Sequence, residues 1–261
     1  MCAPLWVLYG EQHNRKGTSM LKKLTRLIKK DYGKCAAVVV AAGTASRMRG
    51  IDKIFAPLEG QPLIARTIRV FQESPVIHEI VIVTREDLLD RMSRVCHEQG
   101  FDKVTMIVSG GETRVHSVMK GLDCVSKDVT LAAIHDGARP FVTPDIIEQT
   151  VRRAADHHAA APAVPVKDTI KTAENRVVTG TPDRSNLFAI QTPQIFDFDL
   201  LRGALQHALE KQLTITDDCA AVEAIGMSVF LTDGSDENIK VTTPMDLLVA
   251  EAILKHRREN Q

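Results

Sequence analysis

From residue 35 onward, short unbroken apolar runs alternate with stretches in which apolar residues recur every three or four positions. The runs are CAAVVVA (35–41), EIVIVT (79–84), KVTMIV (103–108), VTLAAIH (129–135) and AAAPAVPV (159–166). Each is short and rich in β-branched or small residues, which predicts a strand rather than a helix. Their apolar positions are consecutive, not alternate, as in strands covered on both faces. Between them the longer periodicity predicts helices near 62–73, 86–99, 113–125 and 145–158. Strands and helices in this alternation make a Rossmann-like α/β fold, a mostly parallel sheet flanked by helices.

The rhythm breaks over 167–192, KDTIKTAENRVVTGTPDRSNLFAIQT, where short alternating segments flank an Asn and a Gly-Thr-Pro turn. This stretch predicts a protruding β-arm. Helical spacing resumes near 197–210 and 217–225, SVFLT (228–232) predicts a strand, and a last helix opens at Thr243-Pro244 and runs to about 257. A proline at the first helical position behind a threonine cap is a start signal. Residues 35–258 therefore read as one domain. Residues 1–34 have a different composition: eight Lys and Arg, only Glu11 and Asp31 against them, and Leu21, Leu24, Leu27 and Ile28 on one helical face. They read as an N-terminal extension, disordered or partly helical, rather than as a membrane-surface helix.

Composition narrows the function classes. Lys plus Arg and Asp plus Glu both number 33, so there is no global field to hold a long polyanion, and neither nucleic acid nor a membrane is expected as a partner. No run reaches the 18 or so apolar residues of a membrane span, and the opening MCAPLWVLYG has no basic residue before its apolar stretch, as a secretory signal would. The five cysteines, at 2, 35, 96, 124 and 219, form no CxxC pair. Disulfide frameworks and zinc knuckles are thereby disfavoured, and a reducing, cytoplasmic setting is expected.

In open α/β sheets, ligands bind beyond the carboxyl ends of the strands, and four strand-to-helix junctions carry unusual residues. After the first strand comes AAGTASRM, which fits both a phosphate loop, where the small residues Ala41, Ala42 and Gly43 let backbone N–H groups approach phosphate and Arg47 adds a charge, and a plain tight turn with an exposed Arg. It matches neither GxxxxGK[ST] nor GxGxxG. Lys53, in DKIFAPLEG, places a second cation on the same loop. SGGETRVHSV (109–118) offers Gly110 and Gly111 at a strand end and Ser117 one turn into a helix; a base-edge contact and a plain Gly-Gly turn both fit it. IHDGARPF ends a buried strand in Asp136, the single hard oxygen ligand that Mg²⁺ or another hard divalent cation needs. His135 reads as a satisfied core residue, and Arg139 reads equally as a strut for loop carbonyls. Lys240, in ENIKVTTPMD, falls on the same rim.

Taken together, these motifs resemble the cytidylyltransferases of the methylerythritol phosphate pathway. The likeness covers AAGTASRM, DKIF, SGGETRVHSV, HDGARPF, PVKDTIK, Asp183-Arg184, QTPQIF, TITDD and NIKVTTPMD, in order, from about Ala36 to Ile253. It implies a nucleotidyltransferase domain that transfers CMP from CTP to methylerythritol phosphate and releases pyrophosphate, with ribitol 5-phosphate or another polyol phosphate as the rival acceptor and a non-catalytic nucleotide-binding protein as the remoter alternative. It implies that Arg47, Lys53 and Lys240 surround the α-phosphate, that Asp136 holds Mg²⁺, and that Gly111 and Ser117 face cytosine. Thr169, Arg184, Thr192 and Thr216, with Asp136, match the acceptor-binding positions, and the β-arm is implied to cross to the partner in a homodimer. Two residues depart from the family pattern: Ala45 stands where a second glycine is usual, and Glu112 where an Asp is.

Overall fold

The computed structural model describes residues 32–43 and 53–260. The expectations for the N-terminal extension up to residue 31, and for Ala45 and Arg47, fall outside the described residues.

In chain order the described strands are β1 (Cys35–Ala41), β2 (Pro57–Leu58), β3 (Gln61–Pro62), β4 (Glu79–Thr84), β5 (Val104–Ser109), β6 (Leu131–Asp136), β7 (Ala159–Pro165), β8 (Thr172–Glu174), β9 (Val177–Gly180), β10 (Phe188–Ile190), β11 (Gln194–Asp197) and β12 (Phe230–Asp233). The helices are α1 (Leu63–Glu73), α2 (Leu89–Glu98), α3 (Arg114–Leu122), α4 (Pro144–His157), α5 (Phe198–Glu210), α6 (Asp218–Ala224) and α7 (Pro244–Glu259). The main sheet runs β10-β7-β11-β6-β1-β4-β5, with β12 also paired to β7. β6, β1, β4 and β5 are mutually parallel, whereas β11 runs antiparallel to both β6 and β7.

Burial explains the sheet's composition. β4 and β6 are buried at every position and β1 at all but one, so an alternating pattern would have left polar groups in the core. On one face Val38, Val83, Ile134 and Phe196 pack against Val118 and Leu122 of α3 and Leu201 and Leu205 of α5. Helix ends follow local chemistry. Thr113 and Thr143 accept N-cap hydrogen bonds at α3 and α4, and at α7 Thr243 and Asp246 form a reciprocal capping box behind Pro244. Among the described residues the four cysteines are free thiols. Burial pushes Cys35 up to about 12 and Cys96 up to about 11, which leaves neither available as a thiolate nucleophile at neutral pH.

Two expectations need correction. The arm is shorter than 167–192. Its hairpin is β8 and β9, turned at Asn175 and Arg176, both at positive φ, but Phe188–Ile190 pairs with Ala163–Pro165 as an edge of the main sheet. The second correction is β11, which passes unnoticed in the sequence because four residues are too few to display a period. Its Ile195 and Phe196 are nonetheless fully buried between β6 and β7.

α3 lies close on the sheet at Gly121, where a methyl would come within 2.5 Å of Val38 Cγ1 and 2.9 Å of Val83 Cγ2. Gly121→Ala is therefore expected to lower stability by roughly 1–3 kcal/mol through overpacking. Gly203, on the exposed face of α5, has nothing within 4 Å, so Gly203→Ala should be neutral or stabilise by about 1 kcal/mol. Chemical denaturation of the pair checks both signs; equal effects would refute the close approach.

Candidate active site

The carboxyl ends of β1, β5 and β6 open onto a cavity of about 360 Å³. It is lined by Val40 to Gly43 from the β1 loop, Lys53 and Ile54 from the short turn Lys53–Phe55, Gly111 to Arg114 and Ser117 from the β5–α3 junction, Asp136 and Ala138 behind β6, and Lys240 ahead of α7. All four junctions singled out in the sequence thus contribute to one volume.

Asp136 is the buried charge at its base. Lys240 Nζ lies 2.9 Å from Asp136 Oδ2, and Arg139 Nε donates to the same oxygen at 3.3 Å. Burial alone would push this carboxyl up. The charges of Lys240, Arg114 and Arg139, with the Lys240 hydrogen bond, outweigh it and hold the group down at about 2. Oδ1 accepts no hydrogen bond among the described residues. The Lys240 loop is anchored to the same place: Arg139 Nη1 donates to the carbonyl of Asn238 at 2.7 Å, and Val241 N–H to the carbonyl of Ala138 at 2.9 Å. Asn238, fully buried, donates through Nδ2 to Gln191 Oε1 and the Thr192 carbonyl, both at 3.1 Å. Arg139 is therefore a strut and a charge partner at once.

Behind Asp136 runs a three-residue chain. His135 Nε2 lies 3.2 Å from the Arg139 carbonyl, an acceptor only, so Nε2 carries the proton. Burial pulls the ring down to about 4, leaving it neutral, and Nδ1 accepts from the Thr192 hydroxyl at 3.0 Å. The same hydroxyl accepts the Asp136 backbone N–H at 3.1 Å. His135 and Thr192 thus fix the backbone that carries the carboxylate, and Thr192 is buried outside the cavity lining.

At the β5–α3 junction Ser117 plays a similar part. Its hydroxyl accepts the Gly111 N–H at 3.0 Å and donates to the Thr113 carbonyl at 3.0 Å. The fit is close, since a Cβ on Gly110 would come within 2.5 Å of Ala42 Cβ and 2.9 Å of Ser117 Oγ. Glycine is therefore required for the β1 and β5 loops to meet. One residue beyond Thr113, Arg114 Nη1 stands 2.6 Å from Asp218 Oδ2; burial pushes the Asp218 carboxyl up, against the opposing pull of Arg114.

The structure brings together Ala41, Ala42, Gly43, Lys53, Gly111, Ser117, Asp136 and Lys240. It does not bring Thr169, Arg184 or Thr216 to the cavity; all three are exposed, Thr169 and Arg184 beside the arm, where Arg184 Nη1 donates to the Lys167 carbonyl at 2.8 Å. Sequence reasoning missed Arg114, Asp218 and Gln194. Their trace in the sequence is that each lies inside a quoted motif, Arg114 in SGGETRVHSV, Asp218 in TITDD and Gln194 in QTPQIF, two or three residues from a chosen position.

The family model for 2-C-methyl-D-erythritol 4-phosphate cytidylyltransferase matches residues 35–256, nearly the whole described domain. The chain belongs to this family. Relatives bearing that name include a protein of Alkaliphilus oremlandii, 45% identical over 88% of this chain and 99% of its own length, and one of Halalkalibacterium halodurans, 46% identical over 85% and 99%. Solved structures agree. That of 4-diphosphocytidyl-2C-methyl-D-erythritol synthase from Anaerococcus prevotii aligns with a TM-score of 0.78 at 28% identity, covering 86% of this chain and 97% of that one. The 2-C-methyl-D-erythritol 4-phosphate cytidylyltransferase of Thermus thermophilus gives 0.70 at 30%, over 84% and 98%. Of the two departures from the cytidylyltransferase pattern, Glu112 is exposed and borders the cavity.

The chain through Thr192 yields a stability test. Thr192→Val keeps the shape but leaves the His135 Nδ1 and the Asp136 N–H without partners, at a cost of roughly 2–4 kcal/mol. Thr192→Ser should restore most of this. Equal melting temperatures for the valine and serine variants would refute the relay.

Proposed function

We propose that this chain transfers CMP from CTP to 2-C-methyl-D-erythritol 4-phosphate and releases pyrophosphate, in the non-mevalonate route to isoprenoid precursors. The observation that carries the reading is a buried, ionised Asp136 clasped by Lys240 and Arg139 at the base of a cavity that Lys53 also lines. It stands in a chain of the family whose relatives bear that name.

The acceptor's phosphate oxygen is already anionic, so no general base is required. It attacks the α-phosphorus; one P–O bond forms as the bond to the bridging oxygen of the departing pyrophosphate breaks. Negative charge crowding at the pentacoordinate phosphorus is the barrier, and Lys53, Lys240 and, by its family match, Arg47 lower it with positive charge fixed in advance. The β1 and β5 loops hold the nucleotide, with Gly111 and Ser117 at the cytosine end. Among the described residues no three His, Cys, Asp or Glu side chains cluster as a ready-made metal cage. A single carboxylate whose Oδ1 accepts no hydrogen bond among the described residues fits Mg²⁺, which takes one or two protein carboxylates and completes its shell with phosphates and water. Asp136 would hold it, and the bound cation would add positive charge to the triphosphate.

The acceptor positions Thr169 and Arg184 lie on exposed chain around an arm whose Val177 and Val178 are 67% and 58% exposed. A two-stranded hairpin that leaves such surface uncovered needs a partner. We therefore infer a homodimer in which each arm completes the other subunit's acceptor site. Free buried thiols suit a cytoplasmic enzyme, and among the described residues no helix is long and apolar enough to cross a membrane.

Pyrophosphate release from CTP, but not from ATP or GTP, is expected only when methylerythritol phosphate is supplied; equal turnover of ribitol 5-phosphate would reassign the acceptor. Lys240→Ala and Asp136→Asn should each lose about a hundredfold in turnover, on the order of 3 kcal/mol of transition-state stabilisation. A change confined to the KM for CTP would make them ground-state binders.

Crossing arms make a second, independent test. Lys53→Ala and Arg184→Ala proteins, each nearly inactive, are mixed and allowed to exchange subunits. Random pairing leaves about a quarter of all sites wild type, and activity should recover to that level. No recovery after proven exchange would mean that Arg184 serves its own subunit.

A further inference from the structure

Asp218 is a carboxylate with 0% exposure. Its backbone is held by Gln194, itself buried, whose Oε1 accepts the N–H groups of Asp218 and Cys219 at 3.0 and 3.2 Å while its Nε2 donates to Asp217 Oδ2 at 2.8 Å. With the backbone so fixed, the side chain has one ion-pair partner among the described residues, Arg114, with Nη1 2.6 Å from Oδ2, and neither carboxylate oxygen accepts a well-aligned hydrogen bond there. Burying a charge this completely is costly unless a specific pairing compensates it.

Arg114 is itself out of place by local rules. It occupies the first position of α3, the end of a helix that disfavours a cation. It borders the cavity with 29% of its side chain exposed, and its other guanidinium nitrogens make no hydrogen bond among the described residues. Arg139 is the contrast: it sends one nitrogen to a carboxylate and another to the Asn238 carbonyl, as a purely structural arginine does. Among the described residues Arg114 is ion-paired at one corner only, and a planar guanidinium so held keeps donors for a ligand in the cavity it borders.

We propose that Asp218 is a positioning residue that aims Arg114 at an anionic phosphate group of the bound nucleotide. The inference rests on the nucleotide reading of this cavity. It assigns to Asp218 no contact with substrate, and to Arg114 a direct one.

The test is a double-mutant cycle on CTP binding, measured by calorimetry on the full chain, with melting temperatures in parallel. If wild type fails to bind CTP, the nucleotide reading falls first, and with it this inference. If it binds, Arg114→Gln should weaken CTP by about tenfold or more, as expected for loss of a charge-assisted contact. Asp218→Asn, which keeps shape and burial, should weaken it to a similar extent. The double variant should be no weaker than Arg114→Gln alone, because Asp218 acts only through Arg114. Cytidine, which lacks phosphate, should bind all four proteins alike. Arg114→Lys keeps the charge but not the fork, so it should also weaken CTP; it carries the test if Asp218→Asn does not fold. Additive losses, unchanged CTP affinity in Arg114→Gln or Arg114→Lys, or a folded Asp218→Asn with a lower melting temperature and wild-type affinity would overturn the proposal.

Discussion

One carboxylate sets the terms for this structure. A buried anion is tolerated only when positive charge and hydrogen bonds surround it, and Asp136 collects Lys240, Arg139 and, at longer range, Arg114 for that purpose. Each of these cations comes from a different piece of chain, so satisfying Asp136 obliges three loops to converge. The binding cavity is the space that this convergence leaves at the ends of the strands. Stability and function therefore share the same ions, and every variant that alters a cation here will change both.

Buried amides and hydroxyls do the joining. Asn238 binds the Lys240 loop to the segment around Thr192, Gln194 clamps the start of α6, and Thr192 ties β6 to the strand beside it. Apolar packing could fill the same volume, but it is non-directional and would let the loops slide. Hydrogen bonds fix angle as well as distance, which a site that must hold charges against a phosphorus atom needs.

What could be read from the sequence follows from the range of the interactions involved. Strands such as EIVIVT and the capped start at Thr243-Pro244 are local and legible, and so is the gathering of Asp136, Lys53 and Lys240 at strand ends, since topology places those ends on one rim. Arg114 and Asp218 are ordinary residues until the fold sets them 2.6 Å apart, and no spacing rule reports a contact across that length of chain. Strand β11 fails for the opposite reason: its signal is local but too brief. The hydroxyls of Ser117 and Thr192 were chosen for the right neighbourhood, yet both are spent on protein groups. A hydroxyl's partner is decided by geometry within an ångström or so, and residue type carries no such information.

The strand order has a consequence for how the chain reaches this state. β6 and β7 are consecutive along the main sheet's chain path but are not neighbours in space; β11, made some thirty residues after β7, slips between them. A ribosome releasing this chain thus exposes β1, β4, β5 and β6 as a half-sheet whose β6 edge, the one bearing Asp136, stays unpaired until Gln194 has emerged. Closing that edge requires a non-local, antiparallel insertion, the slow kind of contact in folding. Until it happens the nascent chain carries an open strand edge and an aspartate whose backbone lacks its Thr192 anchor. Inserting β11 supplies that anchor but not the partner charge: Lys240 lies further along the chain, so a chain that has closed this edge still lacks a finished pocket for CTP until Lys240 has emerged.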